Sequence, residues 1–256
     1  MPNDVATANW TELPVTLAPE PAVCIGLVAL ANDGTIEADV HDFLRAPDIR
    51  ICTTRVVTPL RNTLATLLAL RDTIADATAT LVPEGRLDVV AFGCTSGAMA
   101  LGPETVRTTL ARGRPSLRVT DPVSAALRGL ARLGCRRIAV MTPYVGEVNA
   151  MVQAFLTSQG LELCAMGFFP LSDDNARARV TEASFLDAAR RLTDAPEVEA
   201  LFISCTALRT ASLVERLEDC IGRPVITSNQ ALCWDSLRLA GDTRILAGAG
   251  RLFQAV

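Results

Sequence analysis

The feature that most constrains this chain is an alternation of short, nearly continuous apolar runs with longer amphipathic stretches, beginning at Val23 and continuing to Ala240. The runs near 23–30, 49–56, 87–92, 117–120, 136–141, 161–168, 198–204 and 224–227 read as strands. Helical periodicity falls between and after them, near 35–44, 59–81, 103–112, 122–133, 146–159, 176–193, 209–220 and 229–240. Strands without polar alternation, each followed by a helix, predict parallel sheets covered on both faces, so the fold class is α/β. Pro103 and Pro122 stand at first helical turns, and Gly113, Gly134, Gly160 and Gly222 stand where helices stop.

The alternation also repeats. Leu-Asp-Val-Val-Ala-Phe-Gly-Cys-Thr at 87–95 overlays Val-Glu-Ala-Leu-Phe-Ile-Ser-Cys-Thr at 198–206, an offset of 111 residues, and Ile25–Val28 overlays Ile138–Met141 at nearly the same offset. Such a duplication predicts two similar lobes, each a four-stranded parallel sheet flanked by helices. Residues 23–121 together with 228–256 are expected to form the first lobe and 122–227 the second. Residues 1–22, rich in Pro, Thr and Ala and without periodicity, read as an N-terminal tail.

Composition removes whole classes of chemistry. All 24 basic residues are Arg, so there is no Lys for a Schiff base or for a P-loop. The single His41 cannot build a multi-His metal site, and within its helical stretch it reads as an ordinary helix residue. A net charge of −4 advertises no nucleic-acid partner, and the longest apolar run, Val23 to Ala31, is too short to span a bilayer. Eight Cys without a C-x-x-C pair fit neither zinc nor a disulfide scaffold, which predicts thiols in a reducing cytoplasm. The expectation is a cytoplasmic protein with no metal and no cofactor. A small or weakly charged ligand is expected rather than nucleic acid or membrane, and a homo-oligomer is compatible with the sequence.

Two cysteines stand apart from the other six. Cys94 and Cys205 each lie just past the carboxyl end of a strand, where open α/β sheets place their ligands. Thr95-Ser96-Gly97 and Thr206-Ala207-Leu208 lead from them into helical stretches, a setting expected to lower a thiol pKa and to attract carboxylates. Cys24, Cys52, Cys135, Cys164, Cys220 and Cys233 fall within strands or helices and read as packing residues.

Phe-Gly-Cys-Thr-Ser-Gly at 92–97, Ser-Cys-Thr-Ala-Leu-Arg-Thr at 204–210, and Thr-Pro-Tyr at 142–144 followed by Glu147-Val148-Asn149 are similar to motifs of a known family. The chain resembles the maleate cis-trans isomerase and arylmalonate decarboxylase branch of the aspartate/glutamate racemase superfamily, which includes ectoine-utilisation proteins. The resemblance runs from Val23 to the Ser-Asn-Gln-Ala-Leu-Cys-Trp-Asp stretch at 228–235. It implies a cofactor-independent, two-cysteine isomerase of a small carboxylate or dicarboxylate, with its active site in the cleft between two pseudo-symmetric lobes, in which Cys94 adds to a substrate double bond and Cys205 donates or accepts the proton. It further implies that Asn32, Thr95, Ser96, Tyr144, Asn175 and Thr206 bind substrate. Maleate is the first substrate it suggests. Racemisation of an amino acid or ectoine-derived acid by two-thiol proton transfer is the alternative. An arylmalonate-type decarboxylase is disfavoured by Cys94, where those enzymes usually carry Gly, and a non-catalytic carboxylate-binding protein is disfavoured by the presence of both thiols.

Overall fold

The computed structural model describes residues 10–59, 63–115 and 117–255. Its first half contains β1 (Val23–Leu30), α1 (Ile36–Phe43), β2 (Ile49–Val56), α2 (Leu64–Ala69), α3 (Arg71–Ala79), β3 (Val89–Gly93), α4 (Thr95–Leu101), α5 (Pro103–Gly113) and β4 (Arg118–Thr120). There follow α6 (Pro122–Arg132), β5 (Arg137–Thr142), α7 (Gly146–Ser158), β6 (Glu162–Phe168), α8 (Asp174–Arg177) and α9 (Glu182–Leu192). The chain ends with β7 (Ala200–Ile203), α10 (Val214–Ile221), β8 (Val225–Thr227), α11 (Ser228–Ala240) and α12 (Arg251–Gln254).

The strands form two parallel sheets of four, ordered β2-β1-β3-β4 and β6-β5-β7-β8, which is one topology used twice. The central strands are the most deeply buried. Every residue of β1, β3, β5 after Arg137, and β7 is buried, whereas β2, which interleaves polar residues, and β6 lie half-buried at the edges. Phe92 in β3 and Phe202 in β7 are both fully buried in the core. Pairing of Ala29 with Gly93 in one sheet, and of Met141 with Ile203 in the other, brings each cysteine out just beyond the end of a central strand.

Helix boundaries depart from the sequence pattern where side-chain caps interrupt it. The stretch 59–81 is divided into α2 and α3; Thr63 caps α2, and residues 60–62 lie outside the described residues. The stretch 176–193 is likewise two helices, because Thr181 adopts an extended conformation and its hydroxyl accepts from Ser184 N to start α9. Helix α10 begins only at Val214, later than the expected stretch 209–220, and no helix covers residues 206–213. Helix α4 does begin directly after Cys94, although its Thr-Ser-Gly opening carries little helical signal.

Helix α11 ties the two sheets together. It leaves β8 through a capping box, in which Thr227 Oγ1 accepts from Gln230 N and Gln230 Oε1 accepts from Thr227 N. It then packs against β3, β4, α1 and α6, on the side of the first sheet. A second tie is Asp39 of α1, whose Oδ2 accepts from Thr210 N at 2.9 Å, Thr210 Oγ1 at 3.2 Å and Asn229 Nδ2 at 3.0 Å. Asp39 is fully buried, and desolvation holds its carboxyl above the ordinary range against these donors. Among the described residues no helix is long and apolar enough to cross a membrane, and no group of metal-ligating side chains is found.

Candidate active site

Cys94 ends β3 with an extended backbone and caps α4, its Sγ accepting from Gly97 N at 3.2 Å. Cys205 leaves β7 in the equivalent place, and its N–H donates to Ser228 Oγ at 3.0 Å. Short contacts join the two segments across the lobes. Thr206 Oγ1, one residue after Cys205, donates to the carbonyl of Gly93, one residue before Cys94, at 3.4 Å. Thr95 Oγ1 donates to Ser228 Oγ at 2.8 Å, so one hydroxyl at the head of α11 meets the chain beside both cysteines. Residues 111 apart in sequence therefore face one another, close enough that a charge on Cys205 raises the pKa of Cys94.

The second lobe supplies Tyr144, which follows β5 and is 2 % exposed. Its backbone is pinned from both sides: Asn149 Nδ2 donates to Tyr144 O at 2.6 Å, and Tyr144 N donates to Thr142 Oγ1 at 3.3 Å. The phenol lies against Cys205 and lowers that thiol's pKa by hydrogen bonding. Arg177 of α8 covers the ring, with its guanidinium carbon 5.6 Å from the ring centroid. Arg177 and Asp174 form a buried ion pair, 4 % and 7 % exposed in their side chains, with Nη1 donating to Oδ1 at 2.5 Å.

Both thiols lie above the ordinary cysteine range. Burial pushes Cys94 up to about 12, against the opposing hydrogen bonds from Gly97 and Ser96. Cys205 is raised to about 11, again by burial, with the Arg177 charge the largest opposing effect. The expected lowering by a helix terminus is overturned: α10 begins too far along the chain to act on Cys205, and at Cys94 desolvation exceeds the help from α4. All eight cysteines are free thiols.

Thr95, Ser96 and Thr206 are buried beside the two cysteines, with Ser96 Oγ 3.9 Å from Cys94 Sγ. The two asparagines are placed differently. Asn175 is at the surface, and Asn32 is half-buried with its Oδ1 accepting from Thr58 Oγ1 at 3.0 Å. It is their neighbours, Asp174 and Asp33, that act electrostatically on Cys205. Asp33 Oδ1 accepts from Thr35 N and Ile36 N at the start of α1, which orients its second oxygen. Sequence reasoning passed over Asp33, Asp174, Arg177 and Ser228. The three-residue spacing of Asp174 and Arg177 was visible, but the same spacing marks ordinary surface pairs.

Gly97 is as constrained as the cysteines. A Cβ there would lie 2.9 Å from Cys94 Sγ and 2.9 Å from Leu70 Cδ1. Gly97→Ala is therefore expected to displace the Cys94 thiol and cut kcat about 100-fold, since errors of about 1 Å in a reacting group cost that much. Thermal unfolding should show a loss of only about 1–3 kcal/mol from overpacking. Unchanged kcat in this variant would show that the position of the Cys94 sulfur does not matter.

Comparison with known proteins places this arrangement. The family model described as arylmalonate decarboxylase matches residues 67–253. The arylmalonate decarboxylase of Bordetella bronchiseptica is 34% identical over 148 residues, covering 57% of this chain and 62% of that protein. The maleate isomerase of Nocardia farcinica is 28% identical over 243 residues, covering 90% of this chain and 95% of that one. The fold also matches a solved Cys-to-Ser variant of Nocardia farcinica maleate cis-trans isomerase with a covalently bound succinylcysteine intermediate. The TM-score is 0.81 at 24% identity, over 90% of this chain and 98% of that one. With a family match that spans both cysteine motifs, the chain belongs to the arylmalonate decarboxylase and maleate isomerase family.

Proposed function

We propose that this protein is an isomerase that acts on a small carboxylate through Cys94 and Cys205 and needs no cofactor. The observation that carries this reading is the meeting of two strand-end thiols from duplicated lobes, bridged by Thr206 Oγ1 to Gly93 O and by Ser228. Kinship with maleate isomerases along nine-tenths of the chain makes cis-trans isomerisation of maleate the first reaction to assay.

In that reaction the Cys94 thiolate forms a C–S bond to one alkene carbon. The π electrons move to the neighbouring carbon and its carboxylate, and the Cys205 thiol delivers its proton to that carbon. Rotation about the resulting single bond is followed by reversal. Cys205 takes a proton back, the C–S bond breaks, and fumarate leaves with Cys94 again a thiolate. The same pair also suits racemisation, in which one thiolate removes a proton from a carbon and the other thiol supplies one on the opposite face.

The test is incubation of the purified protein in D2O, without added cofactor, with maleate, aryl-malonates and chiral amino acids. Fumarate formation from maleate, or α-deuterium incorporation into an amino acid that keeps its carboxylate, is the expected result. Loss of CO2 from the malonates with neither of the other two would replace the isomerase reading by a decarboxylase.

A further inference from the structure

The segment before β1 carries a strand pattern that its own molecule does not use. Every residue from 10 to 20 is exposed, and residues 10–21 form neither helix nor strand. Within this arm Leu13, Val15 and Leu17 alternate with Pro14, Thr16 and Ala18, the period that lines one face of an extended chain. These three apolar side chains and Trp10 are between 77 % and 97 % exposed. Single exposed apolar residues are ordinary, but a row of them on one face marks a surface that something covers.

Local chemistry keeps the arm from folding back on its own sheet. Pro19 and Pro21 fix their own φ and bias Ala18 and Glu20 to extended backbone, so residues 18–22 form a stiff spacer. The base of the arm is pinned: Arg86 donates from Nη1 to Pro21 O at 2.8 Å and from Nη2 to Ala22 O at 2.9 Å, and Arg50 lies 3.7 Å from Glu20. Val23 pairs with Ile49, so the first residues of β1 and β2 are level. Traced backward from Val23, the arm passes the start of β2 and leaves the sheet. To lie along its own β2 it would have to reverse direction within the stretch that the two prolines straighten.

The matching surface is the edge strand β2, which has β1 as its only strand neighbour among the described residues. Arg50 and Thr54 turn to one face, where they meet Arg86 and Thr80. Ile49 and Ile51 turn to the other, half-buried, and line a groove of about 440 Å3 with His41, Leu44 and Arg45. Among the described residues no carboxylate lines this groove, and the charged residues of the arm are Glu12 and Glu20. We propose that the arm of one molecule adds as a strand to the β2 edge of a second copy of this chain, with Leu13, Val15 and Leu17 beside Ile49 and Ile51, and that the exchange is reciprocal about a two-fold axis. With the backbone groups of residues 13, 15 and 17 turned to β2, Pro14 falls in the other phase. Its missing N–H then faces outward and closes the new edge to further strands.

Sedimentation velocity of the full chain between about 1 and 100 μM is the test. The parent protein should pass from monomer to dimer over that range. Val15→Asp and Leu17→Asp alter exposed side chains and leave the core untouched. Each should weaken association about 100-fold, because every dimer buries two arms and each arm loses about tenfold. Mixing two variants tests the exchange itself. Ile51→Arg alters the groove and spares the arm, whereas Val15→Asp alters the arm and spares the groove. Their heterodimer restores one parental contact and sets an acid against a base in the other, so with both variants folded by circular dichroism it should form at about tenfold lower concentration than the dimer of either variant alone. A monomer at every concentration, whether the arm stays free or folds back, would overturn the proposal. So would an undiminished dimer in both arm variants, or a mixture of folded variants that associates no better than its components. The parent and arm-variant measurements decide the matter even if Ile51→Arg does not fold.

Discussion

Replacing Cys94 or Cys205 with Ala is expected to reduce turnover about a thousandfold or more in either single variant, with the fold retained. Each thiol has a separate task in the proposed reaction, as nucleophile or proton carrier, and a methyl group performs neither. Because both act in one sequence of steps, the double variant should be no worse than the weaker single variant. The structural cost is small. Cys94→Ala removes the sulfur that caps α4 through Gly97 N, a loss of about 1 kcal/mol, and Cys205→Ala removes the sulfur that meets the Tyr144 phenol. Circular dichroism and thermal melting should therefore stay close to the parent protein. Cys220→Ser, in the half-buried face of α10, is the control and should leave turnover unchanged. Near-parental activity of either site variant would remove the two-thiol mechanism, and a comparable loss at Cys220 would mean that the reacting pair lies elsewhere.

How far the sequence reaches is clear from these same residues. The strands were legible because central parallel strands must be apolar along their whole length, and the duplication was legible because both copies keep strand, small residue, Cys and Thr. Those two signals suffice to put Cys94 and Cys205 at matching strand ends. They do not say which polar residue in the following loop turns inward. Asn32 and Asn175 carry the chemistry usual for turns, yet Asp33 and Asp174 occupy the buried positions, a choice made by the start of α1 and by the Arg177 ion pair. Nor does the pattern after Cys205 reveal that residues 206–213 turn without a helix, since their packing depends on Asp39 and Asn229 from distant elements. Thiol ionisation was misjudged for a related reason: local helix electrostatics can be read from neighbours in sequence, whereas desolvation depends on everything that surrounds the group.

The depth of that desolvation gives the second large effect. With Cys205 at about 11 and Cys94 at about 12, the thiolate fractions at pH 8 are about one part in a thousand and one part in ten thousand. An ordinary thiol near 8.5 is about one-quarter ionised there, so Cys205 and Cys94 should react with iodoacetamide about 200-fold and about 2000-fold more slowly, before the somewhat higher nucleophilicity of a more basic thiolate is counted. Poor access alone would also slow the reaction, and the pH profile separates the two causes. If ionisation limits the rate, the logarithm of the rate at each site continues to rise by about one per pH unit beyond pH 9, where an ordinary thiol levels off. A plateau below pH 9 at either cysteine would show that its thiol is not raised. Arg177→Met adds a discriminating arm. The guanidinium is the largest effect lowering Cys205 and is not among the principal influences on Cys94, so its removal should move the Cys205 profile to higher pH and leave that of Cys94 in place. A joint shift of both profiles would point instead to a change in packing throughout the cleft, and no shift in either would remove Arg177 from the control of Cys205.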